Sequence, residues 1–546
     1  MRDPVEHGRR AFARGAWDEA RASFEAALER DESPALLEEL SWAAWWQEDA
    51  AACIAARERA YRGYRAAGDT RGAARMAIWL SDDHHEFHGD DAVSNGWFQR
   101  ATRLLDGLDP CPEQGWLIVF SAFGAISAGH LEEGRKLAVQ ACEFGHELGV
   151  SDLEMFSLAA EGLALVSAGA VPDGLARLDE AVAAALGGDY EQLVLAGWTC
   201  CLMIDACERV RDYDRAAQWC QKVEEFSRAR RIDFVRGRCR AYYGAIVGWH
   251  GDWTACEREL AEAMRHMHET RPAWRAEATV RLGDLRRRQG RFAEAEELYA
   301  QVEWHEMARM GRAALALERG DPAGAHDILD RMLEPLPVEA RLKRAGALEL
   351  IVHAEAALGR ERDAQEHLDE LRAMADDVPT PALCAAVSAA TGTLAAASGR
   401  HADARRAFAD ALDRYGRAEA PWDAARVRLA LAEVLAELGS MDAASHEAES
   451  ALRVFAELGA ATEEARARGL LRRLGVPPGR GAESLLTARE LQVLDCVARG
   501  LSDRAIAAEL TISDHTVHRH VANIYAKLGC STRGAAVARA HRLQLL

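Results

Sequence analysis

The chain has 546 residues, 49% apolar and 28% charged, with 43 Gly and 14 Pro, which excludes low-complexity and collagen-like chains and is too long for one compact core. Its formal net charge of −20 excludes a uniformly basic nucleic-acid binder, but the charge is unevenly placed: the first 481 residues carry 59 Lys and Arg against 81 Asp and Glu, and the last 65 carry eight against six. Only the tail is basic. The longest uncharged apolar runs, Trp116–Ala128 and Leu193–Ile204, fall short of the roughly 18 residues a membrane helix needs. No apolar stretch follows the charges of the N-terminus and the twelve cysteines include no CxxC pair, so a cytoplasmic chain with reduced, buried thiols is expected.

From the N-terminal end a short pattern recurs: a Gly, a small residue five positions on, and an apolar residue four beyond that. Clear copies are Gly15/Ala20/Phe24, Gly251/Cys256/Leu260, Gly290/Ala295/Tyr299, Gly399/Ala404/Phe408 and Gly439/Ala444/Ala448. Weaker copies start at Gly89, Gly129, Gly169, Gly320 and Gly359, and Arg211 takes the Gly place once. From Gly89 to Gly439 the starts lie 39 to 42 residues apart, except for one spacing of 30. The gap between Gly15 and Gly89 leaves room for a degenerate unit near Glu48. In each unit an apolar helix with 3.6-residue periodicity ends at the Gly, which serves as its left-handed cap. A second helix then sets its small residue against a neighbour. The Gly, aromatic, Ala and Phe or Tyr series, as in Trp17/Ala20/Phe24 and Phe292/Ala295, resembles tetratricopeptide-type repeats, with a longer period. The resemblance spans roughly residues 5 to 473 and implies an all-α superhelical solenoid of about twelve hairpins with a concave binding groove.

Two features of the repeats invite a functional reading. Asp82-Asp83-His84-His85-Glu86-Phe87-His88, with Asp90 and Asp91 next, has the side chains of a divalent-cation site, but its position at a turn before a repeat favours solvated polar residues. Trp42, Trp45, Trp46, Trp198, Trp249 and Trp274 could line a ligand groove, although interhelical core is the stronger expectation. The four lysines, at 136, 222, 343 and 527, follow no Gly, so the GxxxxGK[ST] loop of an ATPase is missing. GxSxG, HExxH and a Gly-rich dinucleotide fingerprint are missing too, so neither catalysis nor a cofactor is expected.

Gly475, Pro477, Pro478, Gly479 and Gly481 mark a linker, set at 475–484 between a repeat array at 1–474 and a terminal domain at 485–546. There Thr487 and Glu490 form a capping box opening a helix that Gly500 closes. Ser502 caps a second helix, Thr511-Ile512-Ser513 is a tight turn, and Ser513 caps a third helix ending at Gly529. A fourth starts near Thr532. Val517, Val521, Ile524 and Leu528 form the buried stripe of the third helix, and His515, His518, Arg519, Ala522 and Ala526 lie opposite. Small, polar and cationic side chains there suit a DNA major groove.

The run Leu486-Thr487-x-x-Glu490, Val493-Leu494, Gly500-Leu501, Ile506-Ala507, Leu510, Ile512-Ser513, Thr516-Val517, His520, Ile524, Lys527-Leu528, Arg533 and Ala536-Val537 closely resembles the LuxR-type helix-turn-helix domain of bacterial transcription factors. The whole chain is then similar to MalT-like regulators without their ATPase domain. The resemblance implies a four-helix fold whose third helix reads double-stranded DNA. It places base reading at His518, Arg519 and Ala522, and phosphate contact at Arg504, Thr516 and His515. His520, the family's recurring His, has packing against a neighbouring helix as its alternative. Two departures stand out: His518 replaces the usual Lys, and Asp503 replaces the usual Asn. Arg outnumbers Lys by 63 to 4, a composition of GC-rich bacterial genomes. The expectation is a non-enzymatic transcription regulator, dimeric on DNA, whose repeats bind an effector protein or small molecule. The alternative is an interaction scaffold whose terminal domain no longer binds DNA.

Overall fold

The computed structural model describes residues 3–230, 233–266, 272–337, 340–476, 486, 488–510, 512–528, 530 and 532–542. Among these every regular element is a helix. The first six hairpins pair α1 (Pro4–Ala13) with α2 (Trp17–Leu28), α3 (Pro34–Trp46) with α4 (Ala50–Ala66), α5 (Thr70–His88) with α6 (Asp91–Leu105), α7 (Pro112–Ala128) with α8 (Leu131–Leu148), α9 (Ser151–Ala168) with α10 (Val171–Gly187), and α11 (Leu193–Arg209) with α12 (Tyr213–Arg230). Six more pair α13 (Asp233–Trp249) with α14 (Trp253–His266), α15 (Pro272–Arg288) with α16 (Phe292–Ala300), α17 (Glu306–Glu318) with α18 (Pro322–Leu333), α19 (Arg341–Ala357) with α20 (Glu361–Asp377), α21 (Pro381–Ala397) with α22 (His401–Arg417), and α23 (Pro421–Glu437) with α24 (Met441–Leu458). A single helix, α25 (Ala461–Arg473), closes the stack.

Every turn within a hairpin contains a left-handed residue at the repeat's Gly place. Glycine fills ten of these places, and Glu48 (φ 58°) and Arg211 (φ 56°) fill the other two, which confirms both the degenerate unit and the Arg substitution read from spacing. The small residue five positions on is buried because the partner helix is close. A Cβ added at Gly134 would lie 2.6 Å from Ile126 Cγ1, and one at Gly174 would lie 2.6 Å from the Gly162 carbonyl oxygen. The one 30-residue spacing corresponds to the short α16 and the turn after it, where Trp304 is 61% exposed.

In the degenerate unit the apolar position of the second helix is held by Arg57, which is fully buried. Its guanidinium pairs with buried Asp83 at 2.8 Å and lies over the Trp42 and Trp79 rings at 4.5 and 5.5 Å. Asp83 is thus drawn out of the candidate cation cluster into the core, while exposed His85 pairs with Asp91 at 2.9 Å. The tryptophans mostly follow the packing expectation. Trp45, Trp46, Trp198 and Trp249 are buried, and Trp42 stacks edge-on against Trp45 and Trp79. The side chain of Trp274 lies outside the described residues.

The solenoid coils tightly enough to meet itself. Helix α5 packs on α15 and α9 on α19, so along this stretch the concave face is occupied by the chain's own next turn. Hydrogen bonds join the seam: Thr380 Oγ1 donates to the Val210 carbonyl at 2.7 Å and Trp249 Nε1 to the Ala418 carbonyl at 2.8 Å, pairs 170 and 169 residues apart. Lys343 donates to the Ser127 carbonyl at 2.7 Å and Arg211 pairs with Glu349 at 2.6 Å. Some of the repeat glycines line this seam. A Cβ at Gly251 would come 2.8 Å from Pro421 Cγ, and one at Gly290 2.5 Å from Thr462 Oγ1.

Two tests follow from this packing. Gly399 (φ 72°) has open space around it, so Gly399→Ala should lower urea-unfolding stability by about 1 kcal/mol through backbone strain alone. Gly416→Ala, in open space inside α22, should raise it by about 0.5–1 kcal/mol. Asp83→Ala should cost about 3–5 kcal/mol by stranding the Arg57 charge, and the double replacement Arg57→Leu/Asp83→Leu should be less destabilised than that single variant. Equal or greater loss in the double variant would show that the ion pair itself stabilises this core.

Candidate nucleic-acid interface

The C-terminal helices are α26 (Ala488–Ala498), α27 (Asp503–Leu510), α28 (Asp514–Leu528) and α29 (Arg533–Arg542). They enclose a separate core of Leu486, Val493, Leu494, Ile506, Val517, Val521, Ile524, Leu528, Ala536 and Ala540. All four predicted stripe residues of α28 are at most 7% exposed. The caps follow the sequence. Ser502 Oγ accepts from the Ala505 amide at 3.3 Å, Ser513 Oγ from the Thr516 amide at 3.1 Å, and Thr532 Oγ1 from the Ala535 amide at 3.3 Å. Gly500 takes φ 80°. Thr487, Thr511, Gly529 and residues 477–484 of the expected linker lie outside the described residues. Glu490, the other member of the expected capping box, is fully buried and accepts from Lys527 Nζ at 2.6 Å, tying α26 to α28.

Further long-range bonds tie α27 to α26 and α29. Arg489 Nη2 donates to the Leu510 carbonyl at 2.6 Å, at the end of α27. Asp503, at the start of α27, pairs with Arg533 at 2.6 Å. The carboxylate that departs from the family pattern is therefore largely neutralised within the domain, and His518 Nδ1 lies 3.7 Å from its other oxygen.

His518, Arg519 and Ala522 are all exposed on the face of α28 away from the core, the His518 side chain by 82%. Neither Arg519 nor Arg504, also exposed, has an ion pair or hydrogen bond among the described residues. Thr516 is partly exposed and its hydroxyl shares a hydrogen bond with Ser513 Oγ at 2.7 Å. The backbone of His515 is in the first turn of α28, but its side chain lies outside the described residues. The arrangement offers two free guanidinium groups, an imidazole and a methyl on the same side of the helix pair, the kind of surface that meets phosphates and base edges.

His520 points the other way. It is 8% exposed, and burial, reinforced by the neighbouring Arg519 charge, pushes its imidazole down to about 4. It is a neutral packing residue. The sequence carried no signal for the Asp503–Arg533 and Glu490–Lys527 pairs, because their members are 30 and 37 residues apart.

Residues 484–540 match the family model of bacterial regulatory proteins, luxR family, and this segment is a LuxR-type helix-turn-helix domain. A 62-residue stretch is 53% identical to "Probable transcriptional regulatory protein NarL" in two Mycobacterium tuberculosis strains, CDC 1551 / Oshkosh and ATCC 25618 / H37Rv. That stretch is 11% of this chain and 29% of each relative, so the chain spans less than a third of the length of these curated relatives. Among solved structures, the APC/C hetero-tetramer Cut9-Hcn1 aligns with a TM-score of 0.46 at 13% identity, covering 87% of this chain and 93% of that one. Yeast Tom70 aligns at 0.29 and 12%, covering 86% and 96%. No described helix is long and apolar enough to cross a membrane.

The buried His520 has a pH consequence. Its folded value lies below the ordinary 6.5, so the unfolded chain binds more protons between about pH 6.5 and 4. Its contribution to stability is complete above 6.5 and is lost as the pH falls towards 4, by about 1.4 kcal/mol per unit at most. Hydrogen exchange of the α28 amides in the full chain should accelerate across this window, and His520→Asn should flatten the dependence. An unchanged slope in the variant would assign the effect elsewhere.

Proposed function

We propose that this chain is a sequence-specific DNA-binding transcription regulator in which residues 485–546 read an operator and residues 1–474 bind an effector, a protein or a small molecule, with 475–484 joining them. Helix α28 enters the major groove, with Arg519 and His518 reaching base edges and Ala522 allowing close approach. Arg504, Thr516 and His515 meet phosphates. Two copies bind as a dimer at half-sites about 34 Å apart. The observation that carries this reading is the unpartnered Arg519 beside His518 and Ala522, on the exposed side of a helix whose opposite side is fully committed to the core. The acidic repeats repel the phosphate backbone, so attraction to DNA comes from the terminal domain. Asp503 does little to oppose it, because Arg533 holds the carboxylate.

A second reading, an interaction scaffold that has lost DNA binding, draws on His518 in place of a permanent charge and on the bare methyl of Ala522. Genome-wide DNA capture with the intact protein, followed by gel shifts at two salt concentrations, separates the two. Arg519→Ala should weaken operator binding by about 1–3 kcal/mol and relax specificity at one base pair. Arg504→Ala should weaken all sequences alike and reduce the salt slope by about 0.9. Absence of salt-dependent binding would leave the scaffold reading standing.

A further inference from the structure

The seam between successive turns of the coil is closed at Gly251 and Gly290, where added Cβ atoms would meet the next turn at 2.8 Å and 2.5 Å. Between them and the N-terminal end it opens beside Tyr213. The start of α10 and the α11–α12 turn face the α20–α21 connection and the end of α22 across a cleft of about 340 Å³, a volume at the small end of ligand pockets. Pro172, Tyr213, Val378, Pro379, Pro381 and Ala382 supply apolar parts of its walls.

These walls are rigid. Three prolines fix their backbone. Between two of them Thr380 is pinned at both ends, its hydroxyl donating to the Val210 carbonyl and accepting from the Leu383 amide at 3.4 Å. Tyr213 is stacked on Trp249 with ring centroids 4.3 Å apart, and Trp249 is in turn bonded to the Ala418 carbonyl on the opposite wall. A packing defect lined by flexible side chains would collapse. Here Thr380 and Trp249 also carry hydrogen bonds that join the turns, which hold the two walls apart at a fixed spacing.

Most charges around the cleft are already matched. Arg211 is held by Glu349 at 2.6 Å, Arg417 by Asp413 at 2.6 Å, and Asp377 by Arg341. The Asp212 carboxylate accepts from the Arg215 amide at 3.1 Å. Asp214 is exposed at the rim. From this geometry we infer that the inter-turn cleft is a binding site for a small uncharged ring compound, of about ten heavy atoms, that packs against its proline and tyrosine walls. Because its two walls belong to different turns, an occupant binds only the closed coil and shifts the array towards it. The site rests on the reading of the repeats as an effector-binding array and gives that reading a location and a ligand class.

The test is thermal unfolding of the full chain, without DNA, against increasing phenol and indole, with benzoate and benzylamine as charged counterparts. Phenol and indole should raise the midpoint saturably, and the charged rings should bind at least tenfold more weakly. Ala418→Phe, which fills the cleft from a partly exposed wall position, should weaken phenol more than tenfold while leaving the circular dichroism of the unliganded chain unchanged. Arg417→Trp, at the exposed rim, is a second blocking variant should the first misfold. A missing saturable rise up to the solubility limit, an equal rise in the blocking variants, or equal binding of the charged rings would overturn the proposal. Since no DNA is present, failure of operator binding leaves this result untouched, and failure here leaves the terminal domain's role untouched.

Discussion

A two-helix hairpin buries only one side of each helix, and residues 4–473 are organised by the need to cover the rest. The close approach that makes this possible is set by small residues. Ala20, Cys53, Ala295, Ala364 and Ala404, on the second helices of their hairpins, are inaccessible to solvent, and at Gly174 two backbones come within a distance no side chain would allow. The left-handed residue in each turn reverses the chain quickly enough for that contact to form. At Gly129, Gly251 and Gly290 the same residue then sits at the edge of the coil, where the next turn packs against it. One short pattern therefore serves both the hairpin and the superhelix.

Where the pattern fails, the structure compensates with charge. Arg57 stands at the position that holds Phe24 or Phe408 in other units. Its fully buried guanidinium survives because Asp83 neutralises it and two indole rings cover it. The terminal domain uses the same device with Glu490, a buried carboxylate held by Lys527. In both cases an ion pair ties together helices that a purely apolar contact would leave free to slide.

The terminal domain divides its polar residues by face. His520 is buried and neutral, one residue from an Arg519 that has no partner. Asp503, which beside phosphate would oppose binding, is occupied by Arg533. The cations left free, Arg504 and Arg519, are on the exposed side. In a chain with a net charge of −20, this local sorting leaves positive charge free on the surface of a short terminal segment.

Hairpin number, the left-handed turns at Glu48 and Arg211, the helix caps at Ser502, Ser513 and Thr532, and the buried stripe of α28 were all legible in the amino-acid order, because each depends on residues within one or two helical turns of each other. The resemblance at 486–537 likewise sufficed to identify the helix-turn-helix domain. The closure of the coil was not legible. Val210 meets Thr380 and Trp249 meets Ala418 only because a small rotation per hairpin accumulates over several units, and no local pattern encodes that sum. The same accumulation brought α15 onto α5 and α19 onto α9 and left the cleft beside Tyr213, since each of these depends on which distant helix arrives alongside.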